Sequence, residues 1–343
     1  MLPLLLALIA APGPAPGDVK IFGDWAVACD NAKSCEMTSL YPGDGVMPAE
    51  GSGYDSATFS IERAPGPAGG FTVEVALSVQ HRGEASIRVD GEVIAGGVPK
   101  NDILVFTGAD AARIVAAMIK GKELSVTGTG GAMIGRVTLS GSSAALRYID
   151  AGQGRAGTVT AAVAKGTQPA SAVPAAVALP VVRFVRPAGR PVAMTRAMRA
   201  ALDKDTGCGE NYEGGDGGPP GVETHALGGG KTLALLPCGS GAYNFSAIPY
   251  IIEGGRAAIA RFDYAPGETE AAGGTATLVN AGWDADTARL SSYDKGRGLG
   301  DCGGSEDYVW DGTMFRLVEA RAMPDCRGSV NWLAMWRAAP VAQ

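Results

Sequence analysis

The sequence predicts a mostly β protein with two linked domains. The chain has 51 glycines and 21 prolines among its 343 residues, and short alternating apolar stretches recur between them, a pattern typical of strands joined by turns. The stretch TQPASAVPAAVAL over 167–179 cannot build a core and marks a boundary. We therefore expect an N-terminal β-sandwich or barrel-like domain with one helix (18–165), a linker (166–182), and a C-terminal antiparallel β domain with a short leading helix (183–343).

Residues 1–17 have the features of a signal peptide. An apolar run from Leu2 to Ala11 is followed by proline and small residues. The run has the length of a signal-peptide core and is shorter than the ~20 residues that cross a bilayer. No lysine or arginine precedes it, so the terminal amine would supply the only positive charge. We expect cleavage, a periplasmic or secreted location and no membrane span.

The six cysteines predict disulfides, because an even number in an exported chain is usually paired. Pairing in sequence order would join Cys29 to Cys35, Cys208 to Cys238, and Cys302 to Cys326, one of 15 possible connectivities. A zinc site is the alternative. It is disfavoured because the chain has no paired CxxC motif and only two histidines, His81 and His225, far apart in sequence.

In the N-terminal half the apolar pattern predicts strands around a single helix. Asp90-Gly91 is expected to form a two-residue hairpin turn. Asp110 is the expected N-cap of a helix over 111–120, whose apolar face holds Ile114, Val115 and Met118, with Gly121 at its end. Strands are expected at 25–29, 57–63, 71–79, 86–89, 92–94, 123–127 and 134–139.

The C-terminal half is predicted to begin with a helix that starts near Pro191 and carries Met194, Met198 and Leu202 at helical spacing. Strands are expected at 232–236, 243–252, 256–264 and 276–280.

A hairpin is expected around Asp311-Gly312. In a two-residue turn Trp310 would face Thr313 and Tyr308 would face Phe315, so that Tyr308, Trp310, Phe315 and Leu317 form one apolar face. A third strand over 330–336 should place Val330, Trp332 and Trp336 on one side, against the hairpin.

Two family resemblances accompany these patterns. The segment from Trp25 to Cys29 with Cys35, MIKG at 118–121 and VTLSG at 137–141 resemble the invasion-associated locus B proteins, exported bacterial β-rich proteins, over the N-terminal half. QGRAGTVTA at 153–161, LGDCG at 299–303, YVWDGTMFRL at 308–317 and CRGSVNWLAMWRA at 326–338 resemble a longer family of bacterial secreted proteins catalogued as a domain of unknown function. The second resemblance spans nearly the whole chain. It implies export and two linked domains, and it supplies no catalytic residues.

Charge and motifs restrict the classes of function. The net charge of −6, without basic blocks, argues against nucleic acid and anionic membranes as partners. The sequence contains no GxSxG, HExxH or Walker-type loop, and two histidines offer few general bases. We expect no cofactor, and enzymatic activity is disfavoured.

Two groups of residues are candidates for ligand contact. Asp203, Asp205 and Glu210, with Glu213 and Asp216, lie in one glycine-rich stretch and could offer oxygens to Ca²⁺, although their spacing does not fit an EF-hand and a solvated loop is the alternative. Trp283 and Tyr293 are the aromatic candidates for contact with a carbohydrate or peptide. The other tryptophans alternate with core positions.

The expected function is therefore an exported, non-catalytic binding or interaction module of the bacterial envelope or of a host-facing surface. Its partner would be an envelope or host protein or glycan. One alternative is a hydrolase of an envelope glycan or peptide that uses paired carboxylates such as Asp301 and Asp307. Another is a protein inhibitor of a hydrolase, which would project a rigid, disulfide-pinned loop.

Overall fold

A computed structural model describes residues 13–43, 48–49, 51–212, 220–265 and 276–343. The chain is mostly β, as predicted, and each half is built on two antiparallel sheets. Most of the expected signal peptide, residues 1–12, lies outside the described residues. Residues 13–17 of this segment are described, and the Gly17 backbone N–H donates to the Met335 carbonyl (3.3 Å).

The N-terminal half contains ten strands and two helices in the described residues. They are β1 (Lys20–Phe22), β2 (Trp25–Cys29), β3 (Cys35–Ser39), β4 (Ala57–Arg63), β5 (Phe71–Leu77), β6 (Ala85–Val89), β7 (Glu92–Gly97), β8 (Ile103–Thr107), α1 (Gly108–Met118), β9 (Glu123–Thr127), β10 (Met133–Thr138) and α2 (Ser142–Gly152).

These elements form the N-terminal sandwich. One sheet has the order β1-β2-β3-β4-β5-β8, and the other has the order β10-β9-β6-β7. Both sheets are open, so of the two expected architectures the sandwich is the one observed. Alternate residues of β4 and β5, including Phe59, Ile61, Val73 and Val75, are fully buried between the layers, because successive strand residues point to opposite faces.

The helices of this half differ from the prediction in two respects. Helix α1 begins at Gly108 after Thr107, so Asp110 lies in its first turn instead of capping it. The predicted face of Ile114, Val115 and Met118 is buried. Helix α2 was not predicted, although its apolar residues recur at helical spacing. Its buried residues Ala145, Leu146 and Ile149 are the signal that could have indicated it.

The C-terminal half contains the remaining strands and one helix of the described residues. They are β11 (Val181–Phe184), α3 (Arg196–Thr206), β12 (Glu223–Gly228), β13 (Lys231–Ser240), β14 (Phe245–Glu253), β15 (Arg256–Ile259), β16 (Leu278–Val279), β17 (Gly282–Asp284), β18 (Arg289–Lys295), β19 (Gly303–Trp310), β20 (Phe315–Met323), β21 (Leu333–Arg337) and β22 (Ala339–Ala342).

Most of these elements form the C-terminal sandwich. The order β12-β13-β14-β15, with β16 also paired to β14, makes one sheet, and β17-β18-β19-β20-β21 makes the other. A core that includes Leu233, Leu290, Tyr308 and Leu317 fills the space between them. Helix α3 covers the outer face of the first sheet, where Leu202 packs against buried residues of β13 and β14. Helix α3 is the leading helix that the sequence predicted, but it begins at Arg196, so Pro191 and Met194 precede it.

The two predicted hairpins are both present, and they differ in loop length. Asp90 and Gly91 form a two-residue turn, with φ of 50° and 86° and with Val89 opposite Glu92. At the second hairpin Trp310 instead faces Phe315 and Tyr308 faces Leu317, so the predicted register is wrong by two residues. The Asp311 side chain accepts hydrogen bonds from the Thr313 and Met314 backbone N–H groups (2.7 and 2.8 Å), which stabilises a longer loop. Because side chains alternate with a period of two residues, a register shift of two residues preserves the predicted apolar face.

The third strand of this sheet corrects another prediction. A register shift separates the pair Ala320–Trp336 from the pair Arg321–Ala334. Because an extra residue reverses the facing of a strand, Trp336 packs on the core of the C-terminal sandwich while Trp332 packs against the N-terminal half. Val330 is 71% exposed, so it does not share an apolar face with the two tryptophans.

The six cysteines form three disulfides in sequence order. Cys29 pairs with Cys35, Cys208 with Cys238, and Cys302 with Cys326. Disulfides of this number are characteristic of proteins outside the reducing cytoplasm, which is consistent with an extracytoplasmic protein. None of the helices in the described ranges has the length and apolar character needed to cross a membrane.

The stretch predicted as a linker follows the protein surface in an extended form. Its only regular element before residue 181 is a 3₁₀ turn, Ala170–Ala172. Val173 is buried, and the Val159 backbone N–H donates to the Gln168 carbonyl (2.9 Å). The stretch ends in β11, which pairs in parallel with β22.

The two sandwiches are in direct contact through Arg327, whose guanidinium reaches across to the N-terminal half. Its Nη1 donates to the Asp24 carboxylate (2.9 Å) and to the Gly43 carbonyl (2.8 Å). The next residue, Gly328, has a φ of 81°, and a Cβ there would lie 2.2 Å from the Tyr41 ring. Glycine is therefore required at 328 by both conformation and space.

Candidate functional site

A large cavity lies in the C-terminal sandwich, where helix α3 meets the edge of the first sheet. It has a volume of about 920 Å³, within the range usual for small-molecule sites. We call it the C-terminal cavity. It is lined by Leu202, Asp205, Thr206, Asn211, Cys238, Asn244, Ser246, Ile248, Tyr250, Ala257, Ala258, Ile259, Thr277, Val279 and Asp294.

An interruption in the sheet edge creates this cavity. Strand β15 pairs with β14 only from Tyr250 onward, and β16 pairs with β14 only at Ser246 and Ala247. Among the described residues, the edge of β14 therefore has no strand partner around Ile248. The α3-facing side chains Ser246, Ile248 and Tyr250 form a wall of the cavity.

Helix α3 forms a second wall and is fixed at both ends. The Thr195 hydroxyl accepts a hydrogen bond from the Met198 backbone N–H (3.1 Å), which is an N-cap interaction. Gly207 ends the helix in a left-handed conformation (φ 72°). The Cys208–Cys238 disulfide then joins the segment after the helix to β13. Leu202 and Thr206 are thereby held against the cavity.

The polar groups of the cavity are mainly acceptors. Asp205 and Asp294 contribute carboxylates, and the described lining residues include no lysine, arginine or histidine. The Asn244 Nδ2 donates to Asp294 Oδ1 (2.8 Å). Burial, with Asp205 nearby, raises the pKa of the Tyr250 hydroxyl, so this group stays a neutral donor. The cavity therefore favours neutral or cationic ligands that are rich in hydrogen-bond donors.

A third carboxyl group, Glu306, lies close to Asp294. The two residues are on neighbouring strands of one sheet, since Asp294 pairs with Gly304 and Ser292 with Glu306. Burial raises the pKa of Glu306 to about 7, and the charges of Asp294 and Asp307 add to this rise. Glu306 can therefore hold or release a proton near neutral pH.

The acidic residues predicted from the sequence are only partly brought together. Asp205 lines the C-terminal cavity, whereas Asp203 forms an ion pair with Arg199 on the same helix (3.2 Å). Glu210 is exposed in a 3₁₀ turn, and Glu213 and Asp216 lie outside the described residues. In the described ranges no three His, Cys, Asp or Glu side chains are grouped as metal ligands would be, and calcium binding stays a prediction.

The two aromatic candidates lie elsewhere and rest partly on the core. Trp283 stacks on His225 with 6.0 Å between ring centroids. Tyr293 stacks on Trp332 at 4.5 Å, with nearly parallel rings. Both are half-buried, and neither lines the C-terminal cavity. Their contact with a carbohydrate or peptide stays a prediction.

The residues named for the alternative functions are engaged in structural contacts. Asp301 is 2% exposed and binds Arg297, and Asp307 binds Arg289 (2.9 Å). Neither lines the C-terminal cavity. The short Cys29–Cys35 loop does not project, because its Asp30 carboxylate pairs with Arg337 of the other sandwich.

Sequence reasoning did not identify Asn244, Tyr250 or Asp294 as site residues. Each lies in or beside a strand with no recognisable motif, and they meet only because β14, β16 and β18 converge. The alternation of Ser246, Ile248 and Tyr250 was readable as a strand face. The sequence did not indicate that this face borders a cavity.

Comparison with known proteins identifies the family. The model of a family described as "Protein of unknown function (DUF1176)" matches residues 19–339. The chain belongs to the DUF1176 family. The predicted membership in a family catalogued as a domain of unknown function is thereby confirmed.

Two known proteins are similar to this DUF1176 chain. The uncharacterized protein YpfG of Escherichia coli (strain K12) is 30% identical over 347 residues, which cover 92% of each chain. The crystal structure of invasion associated protein B from Bartonella henselae matches 39% of this chain and 97% of its own, at 18% identity and a TM-score of 0.31. A structural likeness of that extent carries no functional conclusion.

Proposed function

We propose that this DUF1176 protein is an exported, non-catalytic binding module that takes a donor-rich ligand in the C-terminal cavity. The ligand class that fits is an amine- or hydroxyl-bearing molecule such as an amino sugar of the bacterial envelope or of a host surface. The observation that carries the proposal is the cavity's set of acceptors, with Asp205 and Asp294 and no basic side chain among its described lining residues.

The apolar part of the lining supports the same ligand class. Leu202, Ile248 and Val279 line the cavity together with the carboxylates and amides. A sugar ring presents C–H groups on its faces and hydroxyl or amino groups at its edges, so it can contact both kinds of surface. Export, with removal of residues 1–17, is part of the proposal. It is supported by the apolar N-terminus and by the three disulfides.

The test is a binding screen of residues 18–343 against glucosamine, N-acetylglucosamine, peptidoglycan fragments and basic peptides, followed by calorimetry. We expect at least one saturable ligand. Ile259→Arg should weaken its binding at least tenfold, because Ile259 lies on the cavity side of β15 and is 45% exposed. Val105→Arg is the matched control, since Val105 is an exposed apolar residue of β8 (58% exposed) that does not line the C-terminal cavity. Equal effects of the two variants, or no ligand in the panel, would contradict the proposal.

The hydrolase alternative is favoured by one observation: Asp205 and Asp294 line the same cavity, with Glu306 near Asp294. A turnover assay on the ligand found in the screen separates the two functions. A binding module should leave the ligand intact over hours. Hydrolysis that disappears in Asp294→Asn, while binding of the ligand persists, would establish the hydrolase.

A further inference from the structure

A second cavity lies at one end of the N-terminal sandwich and has a different character. It has a volume of about 260 Å³, slightly below the range usual for small-molecule sites. Its walls come from helix α1, from Phe71 and from the segment that follows α2. We call it the Arg63 pocket. It is lined by Arg63, Gly70, Phe71, Gly108, Ala112, Val115, Ala116, Ile119, Val159, Thr160, Ala161, Ala162 and Lys165.

Arg63 is the buried polar group of this pocket. It is the last residue of β4, faces inward like Phe59 and Ile61, and is 7% exposed. Its Nη2 donates to the Thr160 carbonyl (3.2 Å), and its guanidinium lies 4.0 Å from the centroid of the Phe71 ring. Its Nε–H is buried and has no hydrogen-bond partner.

The surroundings of Arg63 compensate its positive charge only in part. A second guanidinium, that of the fully buried Arg155, lies close by. Burial and this like charge lower the pKa of Arg63 to about 10, so Arg63 remains charged at neutral pH. The one nearby carboxylate, Asp150, accepts hydrogen bonds from the backbone N–H groups of Ala162, Val163 and Ala164. Among the described residues no carboxylate forms an ion pair with Arg63.

Lys165 adds to the positive character from the solvent side. It lines the pocket and is exposed. The pocket region thus has three cationic side chains, Arg63, Arg155 and Lys165, and one carboxylate. A buried charge without a counterion is unfavourable, and an unmet buried N–H adds to the cost. An anion that reached Arg63 would relieve both.

We propose that the Arg63 pocket binds a small organic anion, with its carboxylate beside the Arg63 guanidinium and its apolar body against α1, Phe71 and Val159. The walls decide between organic and inorganic anions. Val115, Ile119 and Phe71 offer no hydrogen bonds to the outer oxygens of phosphate or sulfate, whereas a short alkyl or aromatic body would be buried against them. The proposal is independent of the C-terminal cavity and of the ligand proposed there.

The test uses octanoate as the probe and calorimetry on residues 18–343. Octanol and octylammonium have the same apolar body without the negative charge. We expect one equivalent of octanoate to bind, with at least tenfold weaker binding of octanol, no binding of octylammonium, and weaker octanoate binding as salt is raised. Comparable affinity for octanoate and octanol would show that Arg63 contributes no recognition and would overturn the proposal.

Variants at one exposed and one buried position of the pocket locate the site. Val159 is 56% exposed, so Val159→Glu should fold normally and weaken octanoate binding at least tenfold by adding a like charge to the ligand. Val159→Gln is the matched neutral control and should change binding less than threefold. Arg63→Gln should abolish binding; thermal unfolding would check that this variant is folded. Unchanged affinity in Val159→Glu, or loss of binding in Ile259→Arg of the C-terminal cavity, would place the octanoate elsewhere and contradict the proposal.

Discussion

The Arg63 pocket and the C-terminal cavity are both formed at the margin of a β-sandwich beside a helix, and they differ in the sign of their charge. The Arg63 pocket is small and contains a buried guanidinium that forms no ion pair with a carboxylate of the described residues. The C-terminal cavity is larger and has two carboxylates and no basic described residue. The two proposals therefore assign ligands of different charge to the two cavities. The contacts that hold each cavity in place also differ: hydrogen bonds of the buried Arg155 in one and the Cys208–Cys238 disulfide in the other.

The largest expected effect concerns the hydrogen-bond network beneath the Arg63 pocket. Arg155 is fully buried and donates to Gln153 Oε1 (2.7 Å) and to the Ala64 carbonyl (3.1 Å), among other acceptors. Arg155→Leu would leave these groups buried and unpaired, so we expect a loss of ~3–5 kcal/mol in the free energy of unfolding. Urea unfolding measures it. Arg147→Ala, at an exposed position of α2, should cost less than ~0.5 kcal/mol; similar losses in both would mean that the network is not essential.

The corresponding constraint in the C-terminal sandwich is covalent. Replacing Cys208 and Cys238 together with alanine releases the segment after α3 from β13, and we expect a loss of ~2–4 kcal/mol. Ligand binding in the C-terminal cavity should weaken strongly, while octanoate binding in the Arg63 pocket should be retained. Calorimetry on the double variant measures both. If the double variant lost the binding of both ligands, the two sites would be coupled, contrary to this prediction.

The free energy of unfolding should depend on pH through Glu306, a residue of the C-terminal sandwich. The pKa of Glu306 in the folded protein is about 7, above its ordinary value of 4.5. The folded state thus binds this proton more tightly than the unfolded state does, and the stabilisation is complete below the ordinary pKa and is lost as the pH rises to about 7. Glu306→Gln should therefore gain ~1–3 kcal/mol over wild type at pH 8 and little at pH 4. Unfolding curves at both pH values test this, and an equal gain at both would contradict it. Glu210→Gln, an exposed control, should show no such difference.

The smallest effect concerns the two hairpins, one in each sandwich. Asp311 organises its loop by accepting hydrogen bonds from Thr313 and Met314 and by binding Arg316 Nε (2.6 Å). Asp311→Asn should cost ~1 kcal/mol, because it removes the charge from these bonds. The same change at Asp90 should lower the urea midpoint by less. Its carboxylate accepts from the Lys122 and Glu123 backbone N–H groups (2.9 Å each), bonds that an asparagine oxygen can keep, and asparagine tolerates the positive φ there. A larger loss of stability in Asp90→Asn than in Asp311→Asn would contradict this prediction.

The sequence predicted local structure well where the residue pattern is strong. The strands at 57–63 and 123–127 have the predicted bounds, and the apolar face of Tyr308, Trp310, Phe315 and Leu317 is buried. Errors occur where a single residue changes the outcome. The side-chain bonds of Asp311 lengthened one loop, and the register shift in β21 placed Trp332 and Trp336 on different cores. Helix α2 was missed although its buried residues Ala145, Leu146 and Ile149 recur at helical spacing.

The candidate sites were predictable only in part. The acidic stretch containing Asp205 was identified from composition. Asp294, which lines the same cavity, lies 89 residues further along the chain. Arg63 ends a strand that was predicted correctly, and nothing local indicates that its guanidinium is buried without a counterion. Both sites depend on contacts between segments distant in sequence, and one sequence read alone carries no direct signal for such contacts.

By itself the sequence determined the β class, the succession of strands and turns, and membership in the DUF1176 family, because these depend on short-range periodicity, turn residues and motifs. The tertiary structure decided which strands are neighbours, where a sheet edge is left open and which charges are buried without a partner. These features depend on long-range pairing and packing. The gap beside Ile248 and the unpaired Nε–H of Arg63 therefore exist only in the folded chain.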